Sequence, residues 1–177
     1  MEHEQAVEAL AVLERVAARV EGRDDRPGEL LERGGCLWLG AAAVERFTDA
    51  VWRPARPSEP GLRRLEAIVD AWIGHLREGV FPGGCFVTTA SVEYDSRPGP
   101  LHEDTAAAVR RWLGVLEAEA RRAHEAGDLP ADRNPADVAF ELHSLASGGS
   151  VAGRLIGDTA ALDRTRAAMR RAIGLPA

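Results

Sequence analysis

The stretch LRRLEAIVDAWIGHL, residues 62–76, has the most regular apolar pattern in the chain. Apolar side chains recur there every three or four positions, as they do along one face of an α-helix. These side chains are Leu62, Leu65, Ile68, Val69, Trp72, Ile73 and Leu76. Ser58 is a favourable N-cap residue and Pro60 suits a first turn, so the helix is predicted to start there. The pattern predicts an amphipathic helix that buries one face in a core.

Helical periodicity continues on both sides of this stretch. It covers residues 3–21, 39–52, 101–126, 135–156 and 159–173. Glycine and proline separate these segments, and Asn134 before Pro135 is a typical helix start. Residues 85–94 contain three β-branched residues in a row, but no partner strand is evident, so we predict a short helix. The predicted fold class is all-α, a helical bundle of about seven or eight helices.

Composition and charge narrow the class of protein. The 177 residues carry a formal net charge of −6, and all 22 basic residues are arginine. No apolar run approaches the roughly 20 residues that span a bilayer, and the N-terminus lacks a signal-peptide pattern. We therefore expect a cytoplasmic protein with no membrane partner. The acidic balance disfavours nucleic acid unless the arginines cluster on one face.

The residues that could carry metal or catalytic chemistry lack suitable neighbours. Cys36 and Cys85 each follow two glycines, but no CxxC or HxxxH spacing accompanies them. Glu93 and Asp95 could be imagined as an acid and base pair, yet no nucleophile or oxyanion motif accompanies them. We expect no metal, no cofactor and no enzymatic activity.

Five stretches, taken in order and spacing, resemble the C-terminal regulatory domain of TetR/AcrR-type transcriptional regulators. They are VWRPARPSEPGLRRLEAIVDAWIGHL, VFPGGCF, EYDSRPGPL, RRAHEAGDLPADRNPADVAFELHSL and GDTAALDRTRAAMRR. The resemblance covers roughly residues 43–175. It implies that residues 43–177 form a TetR-like regulatory domain, which binds a small-molecule effector among its central helices. It also implies a homodimer formed by the last two long helices.

The N-terminal segment, residues 1–42, departs from that family. Members carry a three-helix DNA-binding unit there, with a helix-turn-helix whose second helix enters the major groove. This segment has five arginines, nine aspartate or glutamate residues and no such motif, so we interpret it as a divergent helical segment. Either the DNA-binding head has been lost or replaced, or a shifted reading frame or misplaced start has introduced unrelated residues. DNA is expected as a partner only if this segment forms a reader head.

The family layout and the helix faces together suggest a ligand pocket. Its predicted residues are Trp72, His75, Phe86, Thr89, Trp112, Phe140 and His143. An apolar pocket with a few polar groups is typical of small-molecule sites. For both histidines the alternative is a packed or hydrogen-bonded residue of the core.

Small residues in SLASGGSVAGRL, residues 144–155, suggest a close helix contact. Glycine costs about 0.5 to 1 kcal/mol relative to alanine inside a helix, so something must offset it. We predict a two-fold dimer interface, with internal close packing or a kink as the alternative. The predicted interface residues are Ser147, Gly149, Gly153, Leu162, Arg166 and Met169.

Two functions follow from these observations. The first is a TetR-like transcriptional regulator, a repressor, whose regulatory domain dimerises and binds a small apolar effector. The second is a dimeric ligand sensor or interaction module that keeps the regulatory fold without binding DNA.

Overall fold

The computed structural model describes residues 43–79 and 85–176, and these residues form six helices and no strand. The helices are α1 (43–55), α2 (Leu62–Glu78), α3 (Phe86–Tyr94), α4 (Pro100–Glu125), α5 (Pro135–Leu155) and α6 (Ala161–Ala172). The predicted all-α class is confirmed. The predicted helix at 3–21 and the whole of the segment 1–42 lie outside the described residues, as do residues 80–84 of the stretch VFPGGCF. In the described ranges no helix is both long and apolar enough to cross a membrane.

Helix α1 changes its winding just before a proline. Its middle, Thr48–Trp52, is a π-helical turn in which the Arg53 amide donates to the carbonyl oxygen of Thr48. An α-helical turn, Arg53–Ala55, follows and contains Pro54. Proline lacks an amide hydrogen and crowds the carbonyl four residues earlier, so the wider π turn relieves that conflict. The helix therefore runs three residues beyond its predicted end at residue 52.

The start of α2 lies at Gly61 instead of the predicted Ser58. Gly61 is the N-cap residue and has a φ of 94°, which glycine adopts at little cost. Its amide donates to the Glu119 carboxylate on α4 at 2.8 Å. The prediction was wrong because this contact joins residues 58 positions apart, which local capping rules cannot anticipate.

The connection between α4 and α5 follows the predicted signals. Gly127, just after α4, has a φ of 80°, as expected where glycine ends a helix. The Asn134 side chain then accepts a hydrogen bond from the Ala136 amide at 2.9 Å, with Pro135 as the first residue of α5. The prediction that glycine and proline separate the two helices and the predicted start at Asn134 are confirmed.

Helix α2 lies at the centre of the bundle and packs on α1, α4, α5 and α6. Its predicted apolar face is buried, with Leu65, Ile68 and Val69 fully inaccessible. Helices α4, α5 and α6 pack in sequence, and α3 packs on α4. This arrangement brings residues of α1, α2, α4 and α5 together in one aromatic cluster.

Three ion pairs join the outer face of α2 to α6, which runs in the opposite direction. Glu66 pairs with Arg170 and Asp70 with Arg166, both at 2.7 Å, and Arg77 pairs with Asp163. The Arg170 hydrogen bond lowers the pKa of Glu66 below its ordinary value. Arg166, predicted at a dimer interface, is thus held by an acid of its own chain.

Candidate functional site

Five rings from four helices form an aromatic cluster in the bundle. The members are Phe47 on α1, Trp72 and His75 on α2, Trp112 on α4 and His143 on α5. Nearly perpendicular, edge-to-face contacts dominate, with centroid distances of 4.9 Å for Phe47 and Trp112 and 5.2 Å for Trp72 and Trp112. Such contacts contribute about 0.5 to 1.5 kcal/mol each beyond area burial.

Three polar atoms inside this cluster have no hydrogen-bond partner. They are His75 Nδ1, Trp112 Nε1 and His143 Nδ1, and in the described part of the chain they are the only buried side-chain nitrogen or oxygen atoms in that condition. An unpaired buried polar group costs about 1 to 3 kcal/mol. Native proteins satisfy nearly all such groups, so three in one cluster call for an explanation, such as a site for a polar partner.

Both histidines of the cluster are held in the neutral form. Burial lowers the pKa of His75, and it alone lowers the pKa of His143. At His75 the nearby Glu78 acts in the opposite direction, while Arg46 and Arg154 add to the lowering. The site therefore presents neutral rings at pH 7, with indole and imidazole nitrogens as its polar groups.

The comparison with family models identifies the region that contains this cluster. Residues 61–169 match the family described as tetracyclin repressor-like, C-terminal domain. The chain belongs to this family. Among curated proteins no significant match to the chain is found. TetR-like regulators are generally not enzymes, and their C-terminal domain is a helical bundle like the one described above.

In this TetR-like domain, four of the seven predicted pocket residues come together. They are Trp72, His75, Trp112 and His143. Phe140 is 67% exposed on α5, and Thr89 is exposed on α3, where its hydroxyl donates to the Cys85 carbonyl oxygen. The Phe86 side chain lies outside the described residues. These four rings face the bundle, and their role in ligand binding stays a prediction.

Phe47 is the member of the cluster that the pocket prediction missed. It lies within 5.7 Å of Trp72 and 5.5 Å of His75, measured between ring centroids. Its place in the stripe Val44, Phe47 and Val51 indicated a core-facing side chain. Nothing in the stripe indicated which rings it would meet, because those rings come from helices far along the chain.

The predicted interface residues of this TetR-like domain lie largely on an inward face. Met169 is fully buried, Leu162 packs against the core, and Gly149 is buried against α6. A Cβ atom on Gly149 would lie 2.0 Å from Thr165 Oγ1. Gly149 thus allows close packing of α5 on α6 within one chain, which was the alternative to an interface. Gly153 is half-buried near Ala161 and lies on the same side.

The outward face of α5 carries an exposed stripe instead. It consists of the exposed residues Phe140, Ser144, Val151 and Leu155 and the half-buried Ser147, spaced three or four residues apart. Five large hydrophobic residues are exposed in the described ranges, and three of them belong to this stripe while a fourth, Ile156, follows it directly. Large apolar patches on a protein surface are typical of interaction sites. Ser147 is the predicted interface residue that this stripe contains.

A surface cleft of ≈ 330 Å³ lies where α2 ends, between the last turns of α5 and the start of α6. Its walls include Gly79, Ser150, Arg154 and Asp158. Asp158 pairs with Arg164. The cleft mixes both charges with small residues and lacks the aromatic lining of the cluster.

Proposed function

We propose that this chain is a TetR-like transcriptional regulator that acts as a cytoplasmic repressor. Its regulatory domain forms a homodimer and binds a small, largely apolar effector in the aromatic cluster. No catalytic step is part of this function. Family membership supports the regulator class, and the cluster supports the effector site.

The observation that carries the proposal is the set of three unpartnered nitrogens among the aromatic rings. Elsewhere in the described core, buried polar groups are paired: the Glu119 carboxylate accepts three hydrogen bonds, and Thr165 Oγ1 donates to the Ala161 carbonyl oxygen. Ligand sites are lined by apolar and aromatic side chains with a few polar groups that orient the ligand. An effector that supplies the missing partners explains why the cluster keeps polar rings.

The dimer is proposed to form through the stripe on α5, together with α6. In a two-fold interface the same patch of each protomer meets its copy, so one apolar stripe supplies both sides. The effector would act by stabilising one arrangement of the helices over another. The change in arrangement would alter the spacing of the two N-terminal segments.

A thermal-shift screen of small apolar compounds on the full chain tests the effector site. Hits are then titrated into wild type, His143→Leu and a control, Val92→Ala, which changes an exposed side chain on α3. We expect His143→Leu to weaken binding about threefold to tenfold, because one hydrogen-bond partner is removed, and Val92→Ala to bind as wild type does. Equal affinities for all three proteins would contradict effector binding in the cluster.

The acidity of residues 1–42 favours a second candidate, a dimeric sensor that does not bind DNA. Phosphate contacts need arginine or lysine side chains, and each contact makes binding more sensitive to salt. A gel shift with DNA from the chain's own promoter, repeated over a salt series, separates the two candidates. A shift that weakens with salt supports the repressor. Absence of a shift at low salt supports the sensor.

A further inference from the structure

Phe47 occupies the middle of the aromatic cluster. Its ring meets Trp72, His75 and Trp112 edge-to-face, at interplanar angles of 82° to 88°. The three partners lie on α2 and α4, which pack on each other, whereas α1 packs chiefly on α2. Phe47 is half-buried, as are Trp112 and His143, but it is the one of these three on a helix that packs chiefly on a single neighbour. Of the five rings, the Phe47 ring is therefore the one that can leave with the least disruption of the bundle.

The Phe47 ring fills space beside polar groups that it cannot satisfy. Trp112 Nε1 carries a hydrogen and can only donate, while a neutral imidazole can offer a donor or an acceptor at Nδ1. A phenyl ring supplies no conventional acceptor, and none of the three nitrogens has a partner. A ring of similar size with an acceptor oxygen would keep the edge-to-face contacts and satisfy the Trp112 donor as well.

The charge of the site selects against ionised molecules. The five rings are neutral at pH 7, because burial holds both histidines unprotonated. The charges that act on His75 are those of Glu78, Arg46 and Arg154, and they are of mixed sign. An anion or cation placed among the rings would lose its hydration without a dedicated counter-charge.

We propose that the effector is an uncharged aromatic molecule with a hydrogen-bond acceptor, and that its ring takes the place of the Phe47 side chain. This inference rests on the proposed effector site and adds the class of ligand and its mode of entry. Phe47 acts as an internal occupant that the effector must displace. Effector affinity is accordingly lower than an empty site would give, because displacement of the ring opposes binding.

Three probes that match one phenyl ring test the ligand class. Acetophenone is neutral and has an acceptor oxygen, ethylbenzene is neutral without one, and benzoate is an anion of similar size. The dissociation constant of each probe is measured by titration calorimetry with the full-length wild-type chain. We expect acetophenone to bind about threefold to tenfold more tightly than ethylbenzene, from one hydrogen bond, and at least about tenfold more tightly than benzoate.

Variants of Phe47 test the displacement. Phe47→Ala removes the ring that occupies the site, and we expect this variant to bind acetophenone at least about tenfold more tightly than wild type. The control Val92→Ala should bind acetophenone with the wild-type affinity. Phe47→Leu keeps an apolar anchor for α1 and is expected to give a smaller gain, about threefold. Phe47→Leu replaces Phe47→Ala as the test of displacement if circular dichroism shows that Phe47→Ala does not fold. The probe series on wild type is independent of either variant.

The outcomes separate this inference from the proposed function. If acetophenone binds the Phe47 variants no more tightly than wild type, displacement is wrong although the effector site stands. If benzoate binds as tightly as acetophenone, the ligand class is wrong. If no probe binds wild type or either variant, the effector site itself is contradicted, and the proposed function with it.

Discussion

The Glu119 carboxylate on α4 accepts a hydrogen bond from the Gly61 amide at the start of α2, at a distance of 2.8 Å. Its other oxygen accepts from Arg64 at 3.1 Å and from Arg122 at 2.6 Å. The Glu119 side chain is only 2% exposed. A buried carboxylate with all these partners fixes the register of α2 against α4, and α2 and α4 carry three rings of the aromatic cluster.

Removal of this carboxylate is expected to be costly. Glu119→Ala leaves the Gly61 amide without its acceptor and the Arg64 side chain, 12% exposed, without its carboxylate partner, with only the Ser58 carbonyl oxygen still accepting from Arg64. Loss of one partner of a buried ion pair costs about 3 to 5 kcal/mol of unfolding free energy. The control Glu117→Ala removes a more exposed acid, paired with Arg121 one turn along α4, and should cost about 0.3 to 0.5 kcal/mol. Urea unfolding measures both, and equal losses would contradict a structural role for the Glu119 contacts.

Gly149 and Thr165 set the distance between α5 and α6. Gly149→Ala would place a Cβ atom 2.0 Å from Thr165 Oγ1 and 2.9 Å from its Cβ, so one helix must shift. We expect a loss of about 1 to 3 kcal/mol in unfolding free energy, typical of overpacking. In a double-mutant cycle, Thr165→Ala should recover part of that loss, since it removes the hydroxyl and methyl that obstruct the new Cβ. Full additivity of the two changes would contradict the close contact.

The neighbouring glycine provides a matched control. A Cβ atom on Gly148 would meet nothing within 4 Å. Gly148→Ala should therefore stabilise the protein by about 0.5 to 1 kcal/mol through helix propensity alone. Opposite signs for adjacent glycine-to-alanine changes would show that packing, and not helix propensity, keeps Gly149 small.

Features set by neighbouring residues could be predicted from the sequence. The Asn134 cap with Pro135, and the glycine after α4, depend on contacts within one turn. The apolar face of α2 follows from a spacing of three and four residues, because one face of a helix must bury its side chains. Trp72 and His143 could be placed on inward faces for the same reason.

Features that depend on contacts between distant residues could not be predicted from the sequence. Gly61 begins α2 because Glu119 binds its amide, and no rule of local capping contains that residue. The small residues of α5 predicted a close contact with another helix. They did not indicate whether that helix belongs to the same chain, where Thr165 makes the contact, or to a partner chain. Phe140 and His143 are three positions apart on one helix, and only the packing of α4 and α2 shows which of them faces the rings.

Stability is expected to fall as the pH is lowered through the histidine range. Burial lowers the pKa of His75 and His143 from an ordinary value of 6.5, so they stay neutral when folded while the unfolded chain takes up protons. The unfolded state then binds more protons, and unfolding free energy rises with pH in this window. Between about pH 7.5 and about pH 5.5 it should therefore decrease.

A double variant, His75→Leu with His143→Leu, isolates the histidine contribution. It should show a flatter dependence of unfolding free energy on pH than wild type, measured by urea unfolding at several pH values. Glu66, whose pKa is lowered from 4.5, adds a loss of stability only at more acidic pH, as it becomes protonated. The same slope in wild type and variant would contradict neutral, buried histidines.

The stripe on α5 predicts the surface through which two copies associate. Val151, 48% exposed, belongs to this stripe, and Val92, 72% exposed on α3, lies off it. Val151→Asp would place a charge within the proposed two-fold interface and one on each protomer, so that both desolvation and like-charge repulsion oppose association. Sedimentation equilibrium should then show a dimer for wild type and for Val92→Asp. The dimer dissociation constant of Val151→Asp should be at least about tenfold higher. Because the inward residues Gly149 and Met169 are untouched, circular dichroism should show the same helix content in all three proteins. A Val151→Asp protein that stays dimeric at low concentration would place the interface on another face of the bundle.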